Sequence, residues 1–176
     1  MLSIGRDITE RKQVQDQLKR LKNQLGLILQ SAGEGILGLD PEGNQTFINP
    51  AAAKKLGYKV EELIGRPSHA IWHHSKEDGN PYPEDECPIN ATYKVGAIHS
   101  GDDEVFWRKD GTSFPVRYIS TPIWEDDKLT GAVVVFRDVT DRKEYEIRLE
   151  KSVKEKEMLL KELHHRVKNN LQILTS

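Results

Sequence analysis

The side chains with the clearest capacity for chemistry lie in the stretch KELHHRVKNNLQILTS at residues 161–176. On a helix, Glu162 and Asn169 lie three residues before and four residues after His165, so the three side chains share one face. An exposed imidazole beside a carboxylate and an amide can accept a phosphoryl group by in-line attack, with the carboxylate helping the ring proton to leave. The alternative is that His164 and His165 are solvated residues on a charged helix face.

Two helices are predicted to position these residues and to pair with a second chain. Residues 141–176 contain neither proline nor glycine, and the segment from 141 to 163 would reach about 35 Å as a helix. Seam positions recur along this helix at spacings of 4 and 3, and the apolar ones are Leu149, Val153, Leu160, Leu163, Val167 and Leu174, with Lys156 and Asn170 at the two polar positions. An N-terminal helix has the same spacing at Val14, Leu18, Leu21, Leu25 and Ile28. Such narrow seams favour a parallel coiled-coil homodimer. The alternative is an amphipathic helix that packs on its own domain.

The region between the helices has a mixed pattern. Two short strand-like runs precede several short helices, the long polar loop at 73–88 and a helix from about Ile89 to Val95. Three further strands follow, with a type I′ hairpin turn expected at Asp110 and Gly111. This order predicts an α+β fold with an antiparallel sheet. The last strand is apolar on both faces, so we expect the N-terminal helix or a second subunit to cover its outer face.

A short motif that occurs twice in the chain suggests that an upstream copy of the same fold ends near the N-terminus. GRDITERK at 5–12 recurs almost unchanged as FRDVTDRK at 136–143. An interval of this length is too long for a solenoid repeat and fits the closing motif of a domain. We therefore expect residues 1–9 to be the end of an upstream domain.

Composition limits the classes of protein to which the chain can belong. With 176 residues, 36% of them apolar and 31% charged, the chain suits one domain with exposed helices. A net charge of −2 gives no basic surface for nucleic acid. The single cysteine excludes a disulfide framework, and the longest apolar runs, such as GAVVVF at 131–136, are too short to span a membrane. We expect a cytoplasmic location, although the parent protein could be anchored upstream.

The motifs INPAAAKKLGY, LIGRP, HHSKEDGNPYPEDECPI, EVFWRKDGTSFPV and FRDVTDRK together resemble a PAS domain, a sensory module. The resemblance implies a five-stranded antiparallel sheet with a helical flap and a pocket that can hold a small ligand. It implies no particular ligand, because PAS domains bind haem, flavins, metabolites or nothing. Dimerisation through flanking helices is a further implication.

The candidate pocket residues are Trp72, His73 and His74. A neutral imidazole of either histidine could be an axial haem ligand, and the alternative is a polar histidine at a helix end. No metal site is predicted, since a zinc set of His73, His74, Cys87 and Asp85 lacks the C-x-x-C spacing. Cys87, in DECPIN rather than an NCRFLQ-like helix, is expected to be a packing residue. The aromatic residues Trp72, Trp107 and Tyr118 could line a pocket or simply fill the core.

The stretch ELHHRVKNNLQ is similar to the H-R-x-K-N-x-L phosphoacceptor box of sensor histidine kinases. The resemblance makes His165 the phosphorylated residue, with Glu162 and Asn169 supporting it. It also implies ATP as phosphoryl donor, a response regulator as acceptor, and an ATP-binding kinase domain that is missing from this chain. The fragment by itself should therefore be inactive as a kinase.

The expected organisation has five parts: the end of an upstream PAS copy at 1–9, a signalling helix at 10–31, a PAS domain at 32–140, a second signalling helix at 141–160, and the start of the phosphoacceptor helix at 161–176. The predicted function is that of a sensory module in a two-component histidine kinase. The alternatives are a ligand-free relay and dimerisation module, which the absence of a decisive ligand residue favours, and a haem-based gas sensor.

Overall fold

The computed structural model describes the backbone of residues 4–174 and the side chains of residues 11–167. It divides into two compact units, Met1–Asp138 and Val139–Ser176. The elements, in chain order, are α1 (Ile4–Ser31), β1 (Gly35–Leu39), β2 (Gln45–Ile48), α2 (Pro50–Leu56), α3 (Val60–Leu63), α4 (Ser68–Trp72), a short 3-10 helix (Glu84–Glu86), α5 (Pro88–Val95), β3 (His99–Trp107), β4 (Ser113–Glu125), β5 (Lys128–Asp138) and α6 (Thr140–Leu174).

The first unit is built on a five-stranded antiparallel sheet, which confirms the predicted α+β fold. The strand order is β2-β1-β5-β4-β3, so the last strand in sequence is the central strand of the sheet. Val134 of β5 lies opposite Leu37 on one side and Ser120 on the other. Helix α2 packs on β1, and α5 packs on β4 and β5. The core between these layers is rich in aromatic residues and includes Trp72, Tyr93, Phe106, Phe114, Tyr118 and Phe136.

The hairpin turn between β3 and β4 forms where it was predicted but is of a different type. A type I′ turn needs positive φ at both central residues, and this occurs at Asp126 (48°) and Asp127 (59°), between β4 and β5. At the predicted position only Gly111 has positive φ, at 82°, and its N–H donates to the Arg108 carbonyl at 3.0 Å. The longer β3–β4 connection therefore uses a single left-handed glycine, and the prediction of a type I′ turn there was wrong.

Asn49 joins three elements at the edge of the core. Its Oδ1 accepts hydrogen bonds from the N–H groups of Ala52 and Ile36, both at 2.9 Å. Its Nδ2 donates to the carbonyls of Leu29 (3.1 Å) and Glu34 (2.9 Å). A single buried side chain thus caps α2 and links it to β1 and the end of α1, and all four of its hydrogen-bonding positions are used.

Helix α1 does not cover the outer face of β5. Its apolar side chains are exposed, at 66% for Leu18 and 53% for Leu25, so they do not pack against the sheet. Val133 and Val135 remain half-buried. The suggestion that the N-terminal helix shields this strand was wrong, because α1 extends from the core instead of folding back. Cover by a second subunit stays a prediction.

Helix α1 is longer than its predicted bounds, and α6 has nearly the predicted ones. Helix α1 begins at Ile4, inside the stretch 1–9 that was expected to close an upstream domain, and residues 1–3 lie outside the described part of the chain. That domain assignment stays a prediction. Helix α6 is continuous from Thr140 to Leu174. None of the described helices is both long enough and apolar enough to cross a membrane.

Replacing Asn49 with alanine should lower the free energy of unfolding by about 3 kcal/mol, because it removes the α2 cap and leaves buried backbone groups without partners. Urea denaturation measures this change. Asn80→Ala is the matched control: Asn80 is exposed and bonds only to nearby Asp78, so its effect should be within about 0.5 kcal/mol. Equal urea midpoints for the two variants would contradict the role of Asn49.

Candidate functional site

A buried histidine at the end of α4 organises the candidate site. His73 is 1% exposed, and both of its ring nitrogens have polar partners. Nε2 lies 2.5 Å from Glu104 Oε2, and Nδ1 lies 3.1 Å from Cys87 Sγ. Because a carboxylate only accepts hydrogen bonds, Nε2 carries a proton and Nδ1 faces the sulfur. His73 therefore lies at a helix end with polar partners, as the alternative to a haem ligand expected, and it is buried there.

The histidine and the cysteine shift each other's protonation. Burial lowers the pKa of His73, but its hydrogen bonds to Cys87 and Glu104 outweigh burial and raise that pKa to about 9. Burial raises the pKa of the Cys87 thiol, but the neighbouring imidazoles of His69 and His73 outweigh it and lower that pKa to about 6. At neutral pH the two residues therefore form a thiolate–imidazolium pair. Cys87 is buried as expected, yet it has an electrostatic role beyond packing.

Glu104 of β3 is the acceptor for three side chains. Besides His73, the hydroxyls of Tyr118 (3.3 Å) and Tyr82 (3.5 Å) donate to its Oε1. Burial, together with the charge of Glu104, raises the pKa of both tyrosines, so both remain neutral donors. The carboxylate is held by this arrangement although it is 21% exposed.

A second histidine of α4 completes the cluster. His69 Nε2 lies 2.8 Å from the Tyr82 carbonyl oxygen, so this nitrogen carries a proton. The other nitrogen, Nδ1, is buried and has no hydrogen-bond partner among the described residues. Ligand atoms of His69, His73 and Cys87 all lie within 4.8 Å of one another. We call these three residues the His–His–Cys cluster.

A cavity of about 560 Å³ adjoins the cluster, and its lining includes His73, Tyr82, Glu104 and the polar segment 75–78. The predicted pocket residue Trp72 is instead buried in the core, where its ring centroid lies 4.5 Å from that of Phe106. Its indole Nε1 lies 3.3 Å from Gln45 Oε1. Trp72 therefore packs α4 against the core and does not line the cavity.

The described residues do not fit a haem. Both ring nitrogens of His73 are occupied by Cys87 and Glu104. His74, the other predicted ligand, directs Nδ1 to Ser75 Oγ at 2.7 Å and lies against the ring of Trp107. His73 could coordinate iron in the cavity only after one of its two contacts broke, and His74 is not among the residues that line the cavity.

The predicted phosphoacceptor residues lie on α6. His164 and His165 are exposed. The carboxylate of Glu162 forms an i,i+4 ion pair with Arg166, at 2.5 Å. The side chain of Asn169 lies outside the described residues. The structure thus places His165 on an accessible helix face, and its role as phosphoacceptor stays a prediction.

One feature of the sequence indicates the His–His–Cys cluster, although the sequence-based prediction did not include it. His69 and His73 are spaced i,i+4, which places two imidazoles on one side of a helical turn. The adjacent pair His73–His74, in contrast, does not indicate a shared site, because neighbouring residues on a helix point in different directions. The contribution of Glu104 had no local signal, since it lies 31 residues away from His73.

The family model described as PAS domain matches residues 33–141. The PAS domain of an HTR-like protein from Haloarcula marismortui has the same fold, with a TM-score of 0.55 and 16% identity, over 72% of this chain and 98% of that one. Both findings agree with the sheet and helical flap described above. The fold is therefore neither all-helical nor built on a parallel sheet.

Two curated relatives belong to larger signalling proteins. The probable diguanylate cyclase DgcE of Escherichia coli is 34% identical over 142 residues, or 80% of this chain and 12% of the relative. The signal transduction histidine-protein kinase AtoS of Escherichia coli is 28% identical over 132 residues, or 75% of this chain and 20% of the relative. The chain therefore spans a fifth or less of either relative's length.

Replacing Glu104 with glutamine should lower the free energy of unfolding by about 2 kcal/mol, because His73 loses a charged acceptor inside the core. Urea denaturation at neutral pH measures the change. Glu77→Gln is the control, since Glu77 is exposed at the rim of the same cavity and should change stability little. If both variants unfold at the same urea concentration, Glu104 does not hold His73 as described.

Proposed function

The chain belongs to the PAS domain family through residues 33–141, and from this premise we propose that it is the sensory part of a two-component histidine kinase, with His165 as its phosphoacceptor. The observation that carries the proposal is the position of the ELHHRVKNNLQ box. Residues 162–167 of this box are exposed on α6, a continuous helix that begins two residues after β5, the central strand, ends.

In the proposed reaction, an imidazole nitrogen of His165 attacks the γ-phosphorus of ATP in line with the leaving oxygen of ADP. The new N–P bond forms, the P–O bond to ADP breaks, and the ring proton departs. The ATP-binding domain has to come from outside this chain. Glu162 can take up the proton once its ion pair with Arg166 opens, and Asn169 supports the same face. The phosphoryl group then passes to an aspartate of a cytoplasmic response regulator.

The sensory end of the module supports two variants of this function. Either the PAS domain binds a small ligand near the cavity, or it binds nothing and relays a conformational change through β5 into α6. The relative AtoS is a histidine kinase and DgcE is a probable cyclase, so a PAS domain of this kind accompanies more than one output. The phosphoacceptor box on α6 favours the kinase.

We also propose that the chain forms a parallel homodimer through its two long helices. The seam residues of α1 are exposed in the single chain: Val14 63%, Leu18 66%, Leu21 55%, Leu25 53% and Ile28 62%. Those of α6 are likewise exposed, with Leu149 at 52% and Leu163 at 57%. Their spacing of 4 and 3 is that of a two-stranded coiled coil, in which a partner helix covers such residues.

His165→Ala should eliminate phosphate incorporation when the chain is joined to an ATP-binding kinase domain, whereas His164→Ala should leave most of it. Incorporation of labelled γ-phosphate and the acid lability of the product measure the effect, since phosphohistidine hydrolyses in acid. Label that persists in His165→Ala would refute this residue as the acceptor. A chain that is never labelled, even with an active kinase domain in trans, would refute the kinase assignment.

The double variant Leu21→Lys/Leu25→Lys should weaken the dimer at least tenfold, because it places lysines in the α1 seam. Native mass spectrometry over a concentration series measures the dissociation constant. Asn23→Lys, on the outer face of the same helix, is the control and should dimerise like the unchanged chain. An unchanged chain that remains monomeric would contradict the dimer, and equal affinity in the double variant would exclude the α1 seam.

A further inference from the structure

We propose that the His–His–Cys cluster is a zinc site, with His69 Nδ1, His73 Nδ1 and Cys87 Sγ as its three protein ligands. One ligand atom from each residue lies within 4.8 Å of the other two, and the pair His73 Nδ1 and Cys87 Sγ is 3.1 Å apart. In a tetrahedral zinc site, ligand atoms about 2.0–2.3 Å from the metal are separated by about 3.5 Å. The widest separation would have to shorten by about an ångström and the His73–Cys87 distance would have to lengthen slightly to reach coordination geometry.

The hydrogen bonds of both histidines select the nitrogen that zinc would need. His69 donates Nε2–H to the Tyr82 carbonyl, and His73 donates Nε2–H to the Glu104 carboxylate. Histidine ligands of metals typically donate their other ring N–H to a carbonyl or a carboxylate in this manner. The arrangement leaves the Nδ1 atoms of both histidines available to a metal, with His73 Nδ1 facing the sulfur of Cys87, and Glu104 acts as a positioning residue.

The cluster without metal is incompletely satisfied. One proton lies between His73 Nδ1 and Cys87 Sγ, which are 3.1 Å apart, while the buried Nδ1 of His69 has no hydrogen-bond partner among the described residues. Buried polar atoms are rarely left without a partner. Zinc would replace the shared proton, release it to solvent, and coordinate all three atoms.

The local charge also suits a divalent cation. With zinc bound, His73 is neutral and the thiolate of Cys87 and the carboxylate of Glu104 each carry one negative charge. These two charges balance the two positive charges of the ion, which lowers the cost of burying them. Borderline-soft Zn²⁺ prefers thiolate and imidazole ligands over the all-oxygen sets that Mg²⁺ and Ca²⁺ prefer. The fourth coordination position is left for water or a small ligand.

Zinc binding would connect parts of the fold that are distant in sequence. His69 and His73 lie at α4, Cys87 precedes α5, and Glu104 lies on β3. The metal would close the polar loop 74–86 onto the sheet. The proposal thus names a ligand class for the sensory part of the proposed function, yet it requires neither ATP nor His165.

The test is metal binding by the full 176-residue chain. After removal of metal with a chelator, Zn²⁺ is titrated in competition with a chromophoric chelator, and Co²⁺ is used as a spectroscopic substitute. We expect one metal ion per chain, a thiolate-to-cobalt charge-transfer band, and visible bands of tetrahedral intensity. The absence of stoichiometric zinc binding, or a cobalt spectrum without thiolate character, would overturn the proposal.

Variants then assign the ligands. Cys87→Ser and His69→Gln should each lower the zinc affinity at least 100-fold, and Cys87→Ser should abolish the charge-transfer band. His74→Gln is the matched control, because His74 adjoins His73 but bonds to Ser75, and it should bind zinc like the unchanged chain. Circular dichroism identifies any variant that fails to fold, and the partly exposed His69 tests the site independently of the buried cysteine.

Glu104→Gln separates positioning from coordination. Loss of a carboxylate that orients a metal-bound histidine lowers affinity about 10- to 100-fold, while the charge-transfer band of the cobalt form should persist because Cys87 still binds. Unaltered zinc affinity in Glu104→Gln, or equal affinity in Cys87→Ser and the unchanged chain, would exclude this arrangement. Failure of the zinc test would leave the assignment of His165 untouched, and the reverse also holds.

Discussion

The burial of His73 is the constraint on which the surrounding structure depends. An imidazole with 1% exposure needs a partner for each ring nitrogen. One partner comes from β3 and the other from the start of α5, so the loop between α4 and α5 must return to the sheet to supply it. Glu104 is then fixed by two tyrosine hydroxyls. The helical flap is therefore held by a polar network that only one arrangement of these elements satisfies.

The position of β5 explains how such a network can influence the rest of the chain. As the central strand it pairs with both β1 and β4, and β4 also pairs with β3, the strand of Glu104. A shift of β3 on ligand binding would be passed from strand to strand through backbone hydrogen bonds. The chain continues directly from Asp138, the last residue of β5, through one residue to Thr140, the first residue of α6, which is the covalent route that the proposed relay would use.

Local chemistry could be predicted from the sequence, and long-range chemistry could not. Asn49 directly before Pro50 is a helix-start pattern that is visible in the local sequence, and the structure has that cap. The meeting of His73 with Glu104 depends on the paths of two loops and several helices, for which no periodic pattern exists. The turn at Asp110 and Gly111 was given the wrong type for a related reason: the type I′ pair of positive φ values occurs at Asp126 and Asp127 because the strand register requires it there, although glycine is the more usual residue in such turns.

The chain has one histidine buried in the core and one exposed on a helix, and each environment suits the role that we propose for it. His73 is held by two partners in the core, where a phosphoryl donor has no access and its orientation cannot change without breaking hydrogen bonds. These properties suit a ligand that senses its surroundings. His165 lies on the exposed face of a helix, where a phosphoryl group can approach in line and the charged product remains hydrated. Exchanging the two environments would remove the access that the proposed phosphoacceptor needs and the fixed, partly dehydrated geometry that the proposed zinc ligand needs.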